Sequence, residues 1–206
     1  SHFMKKFFSL LFCIFLSTVC YCQIYSADYV IEINSSTGHY DCKLVILSGA
    51  FSDDYEDRIV DACKFTVIVP TGTSVSFVES FSPYLDNENQ NSTTPVDWTL
   101  TSTDISPSDQ PESDYYQFTL DADGLVASFN ELAEQDIITL FSIDVETDCN
   151  LDVRRLNADY DDTSISSTDY SHELTQGANS TLFFYSTLPS TAVEDFTLGE
   201  SVYETC

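Results

Sequence analysis

Apolar and polar residues alternate along most of the chain with the two-residue period of half-buried β-strands. In residues 27–33 (ADYVIEI), Tyr29, Ile31 and Ile33 fall on one face. Residues 40–48 put Cys42, Leu44 and Ile46 on one face and Val45 and Leu47 on the other, the pattern of a strand covered on both sides. The run at 64–69 (KFTVIV) stops at Pro70, and Thr71-Gly72 turns the chain into 75–81 (VSFVESF). Segments 96–103, 115–120, 137–145, 151–156 and 181–186 repeat the alternation, rich in the β-branched and aromatic residues that suit a pleated surface. Only 125–134 (LVASFNELAE) spaces its apolar residues near 3.6, which predicts one short helix. Strands with no regular intervening helices predict an all-β fold, a two-sheet antiparallel β-sandwich of jelly-roll type. The polar loops 86–94 and 103–114 flank the Trp98 strand and are expected at the surface, where a rigid sandwich places its contacts.

The first 22 residues break this pattern. Lys5 and Lys6 precede an uncharged apolar run, 7–19, which ends at Cys20-Tyr21-Cys22. A short basic region, such a run and small residues at a cleavage site predict a secretory signal peptide. The run is too short to span a bilayer, which needs roughly 20 apolar residues. Lipidation at Cys20 or Cys22 is disfavoured by the bulky Val19 and Tyr21 before them. Ser1-His2-Phe3 precede the first methionine and are expected to lie outside the natural chain. The expected mature product is a single domain, 23–206, exported to the cell surface or beyond, with 187–206 as a C-terminal extension.

Composition narrows the partners. The chain carries 34 acidic and 7 basic residues, a formal charge of −27. Cleavage would leave Lys43, Arg58, Lys64, Arg154 and Arg155 as the only bases. Such a chain lacks the cationic footprint of a nucleic-acid binder and is repelled by anionic membranes. With 43% hydrophobic and 14% aromatic residues it still has the material for a core, so the charge does not signal disorder. A saline habitat would account for the acidity equally well. Four cysteines follow the signal segment, an even number, which in an exported chain predicts two disulfides with three pairings open. Cys42–Cys149 with Cys63–Cys206 is the favoured set, the second bond tethering the chain's last residue.

Little in the chain resembles catalytic machinery. The histidines after the signal segment are His39 and His172, and no zinc-protease, nucleophile-elbow, phosphate-loop or dinucleotide motif is present. No enzyme is expected. The best ligand cluster is Asp159, Asp161 and Asp162 with Asp169, hard oxygen donors of the kind Ca²⁺ takes. Asp121 and Asp123 before Gly124 form a thinner version without the later ligands. No cofactor is required, and calcium is the one ion this pattern suggests; the competing reading is solvated turn acids. Trp98 and Tyr115 are candidates for a sugar-stacking surface, against a core role for Trp98, and Tyr115 is expected to be more exposed than Tyr116. Asn34, Asn91 and Asn179 open glycosylation sequons, which matter only in a eukaryotic host.

Residues 65–75 (FTVIVPTGTSV), 95–103 (PVDWTLTST), 106–118 (SPSDQPESDYYQF), 138–152 (ITLFSIDVETDCNLD) and 169–171 (DYS) resemble cohesin-like sandwich modules. Such modules occur in secreted surface proteins of filamentous, gliding Gram-negative bacteria. The resemblance implies a cohesin-like two-sheet sandwich used for noncovalent protein contact or surface display, and assigns no residue a role. It favours a non-enzymatic secreted adhesion or structural module, with self-assembly into an extracellular filament or matrix as one form. Its partner would be itself or another surface protein, and 23–28 or 192–203 could donate a strand to a neighbour's open sheet edge. The alternative is a monomeric carbohydrate- or protein-binding module, calcium-assisted, with glycans as partner.

Overall fold

The computed structural model describes residues 24–50, 55–146, 153–157, 161, 163–166, 168–176 and 180–183. The signal segment and 187–206 therefore lie outside the described residues. The strands are β1 (Ile24–Ile33), β2 (Tyr40–Gly49), β3 (Ile59–Pro70), β4 (Ser74–Ser80), β5 (Tyr84–Leu85), β6 (Asp97–Asp104), β7 (Ser113–Asp121), β8 (Ala127–Ser128), β9 (Ile137–Glu146), β10 (Arg154–Arg155), β11 (Ser164–Ile165), β12 (Thr168–Asp169), β13 (Glu173–Gln176) and β14 (Ser180–Phe183), with α1 a single turn at Tyr55–Arg58. One sheet runs β1-β2-β9-β4 and the other β14-β13-β3-β7-β6, with β10 and β8 also on β3 and β5 on β8. Every pairing between these strands is antiparallel. The fold is all-β and sandwich-like, as the alternation predicts.

The alternating residues do the packing. Tyr29, Ile31, Leu44 and Ile46 from the first sheet share one core with Phe65, Val67, Val69, Trp98 and Phe118 from the second. Phe141 on β9 sits at its centre, fully buried, with ring centroids of Trp98 at 4.7 Å, Phe118 at 5.0 Å and Phe65 at 5.7 Å. The turn between β3 and β4 needs Gly72, whose φ of +88° suits a residue with no Cβ.

Two expectations fail here. Residues 125–134 form no helix. The Asp123-Gly124 turn, with φ of 50° and 78°, delivers β8 to β3, where Ala127 and Ser128 pair with Val60 and Ile59. Partners on β3 thus take backbone groups that a helix would use, and tertiary pairing overrides a local spacing. Tyr115 is fully buried, and Tyr116 is the more exposed of the two at 7%. On the outer face of β3 and β7, Leu156 after β10, Ile165 on β11 and Tyr170 after β12 cover Tyr115 and Ile68, forming a second apolar cluster.

The cysteines also differ from expectation. Cys42 and Cys63 are free and fully buried. Neither expected bond is formed at these two thiols, and Cys149 and Cys206 lie outside the described residues. Of the expected strand 151–156, Arg154–Arg155 is the paired part on β3. Residues 24–28 are part of β1 and already pair with β2, so in this state they are not a free strand for a neighbour.

Candidate functional site

Among the described residues, the first sheet has a gap beside the start of β9. β2 pairs along 137–143 of β9, whereas β4 pairs only along 141–146. The chain leaves β9 after Ser80, and the amides of Phe81 and Ser82 both donate to the carbonyl of Leu140, at 2.9 and 3.1 Å. Beyond that point Ile137, Ile138 and Thr139 have a strand neighbour on one side only among the described residues.

Local sequence explains the departure. The Trp98 indole N–H donates to the carbonyl of Ser82 at 2.9 Å, its amide to Ser80 Oγ at 3.2 Å, and the Val96 amide to Pro83 at 2.8 Å. These bonds draw the chain across to the second sheet, where Tyr84 and Leu85 pair with β8. Trp98 is 2% exposed, so it shapes the gap from beneath and is not presented to a ligand.

The gap is a groove of about 400 Å³. Phe81, Tyr84, Phe129, Leu132 and Ile137 give it an apolar lining, and Glu131 and Asp136 stand among the lining residues as carboxylates. Phe81 and Ile137 remain 36% and 41% exposed. The wall at 129–131 is braced by the 86–94 loop. Arg58, fully buried, donates to the carbonyls of Phe129 at 2.8 Å, Glu88 at 3.0 Å and Asn87 at 3.4 Å. Asn87 Nδ2 donates to Asn130 Oδ1 at 2.8 Å, and the Glu131 amide to Gln90 Oε1 at 2.9 Å. Sequence reasoning marked the loop but missed the groove. The available signal was the pair of apolar residues at strand ends, Phe81 and Ile137.

Of the expected calcium ligands, Asp161 and Asp169 are among the described residues. Asp161 is buried; its Oδ2 accepts from Arg154 Nη1 at 2.6 Å and from the Asn157 amide at 2.7 Å. Asp169 is exposed on the β11–β12 hairpin, opposite Ser164. Asp159 and Asp162 lie outside the described residues. Among the described residues no three His, Cys, Asp or Glu side chains are grouped to hold a metal ion. The Asp121 carboxylate accepts from the Asp123 amide at 3.0 Å, an ordinary turn bond.

A buried polar cluster joins the two sheets. His172 stacks on Tyr29 with centroids 4.6 Å apart and meets Phe65 at 4.8 Å. The Thr66 amide donates to His172 Nδ1 at 3.4 Å, so Nε2 carries the proton toward the carbonyl of Leu156 at 3.1 Å. Tyr29 Oη donates to the carbonyl of Glu173 at 2.7 Å and lies 3.5 Å from Cys63 Sγ. Burial, then the positive Arg155, lowers the His172 pKa to about 3, and burial raises the Cys63 thiol to about 12. Near neutral pH this cluster offers neither a thiolate nor an imidazolium, and it acts as a fastening.

That fastening carries a pH signature. The folded pKa of His172 is depressed from 6.5, so an unfolded chain binds the proton first. Its stabilising contribution is complete above about pH 6.5 and declines as pH falls toward about 3. Between neutral pH and pH 5 the loss amounts to about 2 kcal/mol. Protonating carboxylates relieves charge repulsion in the opposite sense. Urea unfolding of the wild type and of His172→Gln at both pH values separates the two effects. The wild type should lose about 2 kcal/mol more than the variant, and equal losses would show that His172 titrates freely.

No family model, no curated protein and no solved structure matches this chain.

Proposed function

We propose that this chain is a non-enzymatic secreted adhesion or structural module that works by protein contact at an incomplete sheet edge. The supporting observation is the gap beside Ile137–Thr139, where one-sided backbone and the exposed rings and chains of Phe81 and Ile137 lie together. Unpaired strand edges are templates for strand addition from a partner. The resemblance to cohesin-like modules and the leading basic-apolar segment support the extracellular setting. The sugar-binding alternative loses its main support, because Trp98 and Tyr115 are both buried. Calcium assistance rests on Asp159 and Asp162 together with Asp161 and Asp169, of which Asp161 is already bonded to Arg154.

The test uses the folded secreted chain, fluorescently labelled, applied to cells of the encoding organism that lack their own copy. Saturable binding that is lost in the double variant Phe81→Asp, Ile137→Asp supports the reading. Absent binding, or binding indifferent to the double variant while the variant stays folded by circular dichroism, overturns it. Light scattering and negative-stain microscopy of the same protein, with calcium and with chelator, show whether the contact is made between copies of the chain.

A further inference from the structure

The groove's surroundings indicate what would fill it, given the contact function proposed above. The Asp136 carbonyl accepts from the Ile46 amide at 2.9 Å, so it points toward β2. The N–H of Ile137 belongs to the same planar peptide unit and points the opposite way, into the gap. Two-residue alternation brings the backbone groups of Thr139 out on the same side. An extended segment laid beside them would complete the sheet.

Charge decides which segment. Glu131 and Asp136 are exposed at the groove, in a chain of net charge −27. Every basic side chain of the described residues is already engaged. Lys43 pairs with Glu32, Lys64 with Glu173 at 2.7 Å, Arg154 with Asp161 at 2.6 Å and Arg155 with Asp28 at 4.0 Å, while Arg58 is enclosed by backbone carbonyls. A second copy therefore brings the same excess of negative charge and no spare lysine or arginine among its described residues. Residues 184–206 contain Glu194, Asp195, Glu200 and Glu204 and no lysine or arginine, so the chain's own tail is mismatched as well.

We infer that the gap beside Ile137–Thr139 receives an extended cationic segment of another protein as an added strand. Its apolar side chains pack on Phe81, Leu132 and Ile137, and its lysines or arginines meet Glu131 and Asp136. Opposite charge steers the encounter and the backbone ladder fixes the register.

The probe is an end-capped, fluorescent peptide of about eight alternating lysines and valines, a typical strand length. Two companions have glutamate in place of lysine, or a proline at a central valine, which removes a ladder donor. Anisotropy with the folded secreted chain should show one lysine peptide per molecule, with affinity falling about tenfold between about 50 and about 300 mM NaCl. The glutamate and proline peptides should fail to bind. Hydrogen exchange should slow at Ile137 and Thr139 on peptide addition. Glu131→Lys should weaken binding about tenfold, while Glu112→Lys, at the acidic surface near Arg154, should leave it unchanged.

Equal binding of the proline peptide, or equal losses from the two charge reversals, would reveal a general polyanion coat and overturn the inference. No peptide binding would overturn it too. Self-association that slows exchange at Ile137 and Thr139 without peptide would assign the gap to a second copy instead. If the lysine peptide fails while cell binding still depends on Phe81 and Ile137, the contact site stands and only the cationic character of its partner falls.

Discussion

Phe141→Ala is expected to cost about 3–5 kcal/mol, the range for removing a buried phenyl ring. Phe141 has no exposed surface and its ring meets Phe65, Phe77, Trp98 and Phe118. It stands opposite Cys42 on β2 and Ser80 on β4, so it is held from both flanks of its sheet and cannot move to fill the space it leaves. The lost transfer energy and the unfilled cavity add to the lost ring contacts, each worth about 0.5–1.5 kcal/mol. Because Trp98 packs on this ring and holds Ser82 near the gap, the substitution also loosens the groove floor. Urea unfolding of the variant beside Phe141→Leu checks the argument. The leucine variant should lose less than half as much, and a loss below about 1 kcal/mol for the alanine variant would show that the core collapses around the site.

The second large effect is expected at Arg58. Its guanidinium is fully buried and donates to three backbone carbonyls in the 87–88 and 129 segments, with Tyr55 at 5.6 Å below. Taking a guanidinium out of water is costly, and here carbonyl dipoles, in place of a carboxylate, offset the lost hydration. Arg58→Met removes the charge but strands those carbonyls, and the expected loss is about 3 kcal/mol. Arg58→Lys should recover little, because one ammonium cannot span acceptors that a planar fork reaches together. Denaturant midpoints of both variants test this. A methionine variant as stable as wild type would mean that the carbonyls find water or other donors. The same fork braces the groove wall, so weakened probe binding should accompany the loss of stability.

The strands were legible because the face turned to the main core keeps apolar residues two apart, as at Tyr29, Ile31 and Ile33, at Cys42, Leu44 and Ile46, and at Tyr116 and Phe118. The second faces of β2, β3 and β7 are largely buried as well, which the alternation alone does not reveal. The failures share a cause. Residues 125–134 owe their conformation to partners on β3, and Tyr115 owes its burial to Leu156, Ile165 and Tyr170, far along the chain. Neither influence is local. The groove was illegible for a related reason. It exists because β4 stops opposite Phe141 while β9 begins at Ile137, and that mismatch depends on register and on the Trp98 bond to Ser82. Composition did indicate the sign of the charge at its rim, which is the part of the site that needs no geometry.

Burying both faces of β3 and β7 leaves apolar masses of unequal size on the two sides of their sheet among the described residues. The larger lies between the sheets, and the smaller comprises Ile68, Tyr115, Leu156, Ile165 and Tyr170. The smaller mass is covered by the two-residue strands β11 and β12, and its edge is closed by Tyr170 Oη donating to Asp104 Oδ2 at 2.7 Å and by Tyr115 Oη bonding Gln110. Among the described residues the β11–β12 hairpin pairs only with itself, so lifting it breaks no ladder bond of the two larger sheets. The hairpin is therefore expected to open at a lower cost than the sheets beneath it. A protease that cuts there would produce a nicked but still folded molecule, with the groove on the other sheet undisturbed.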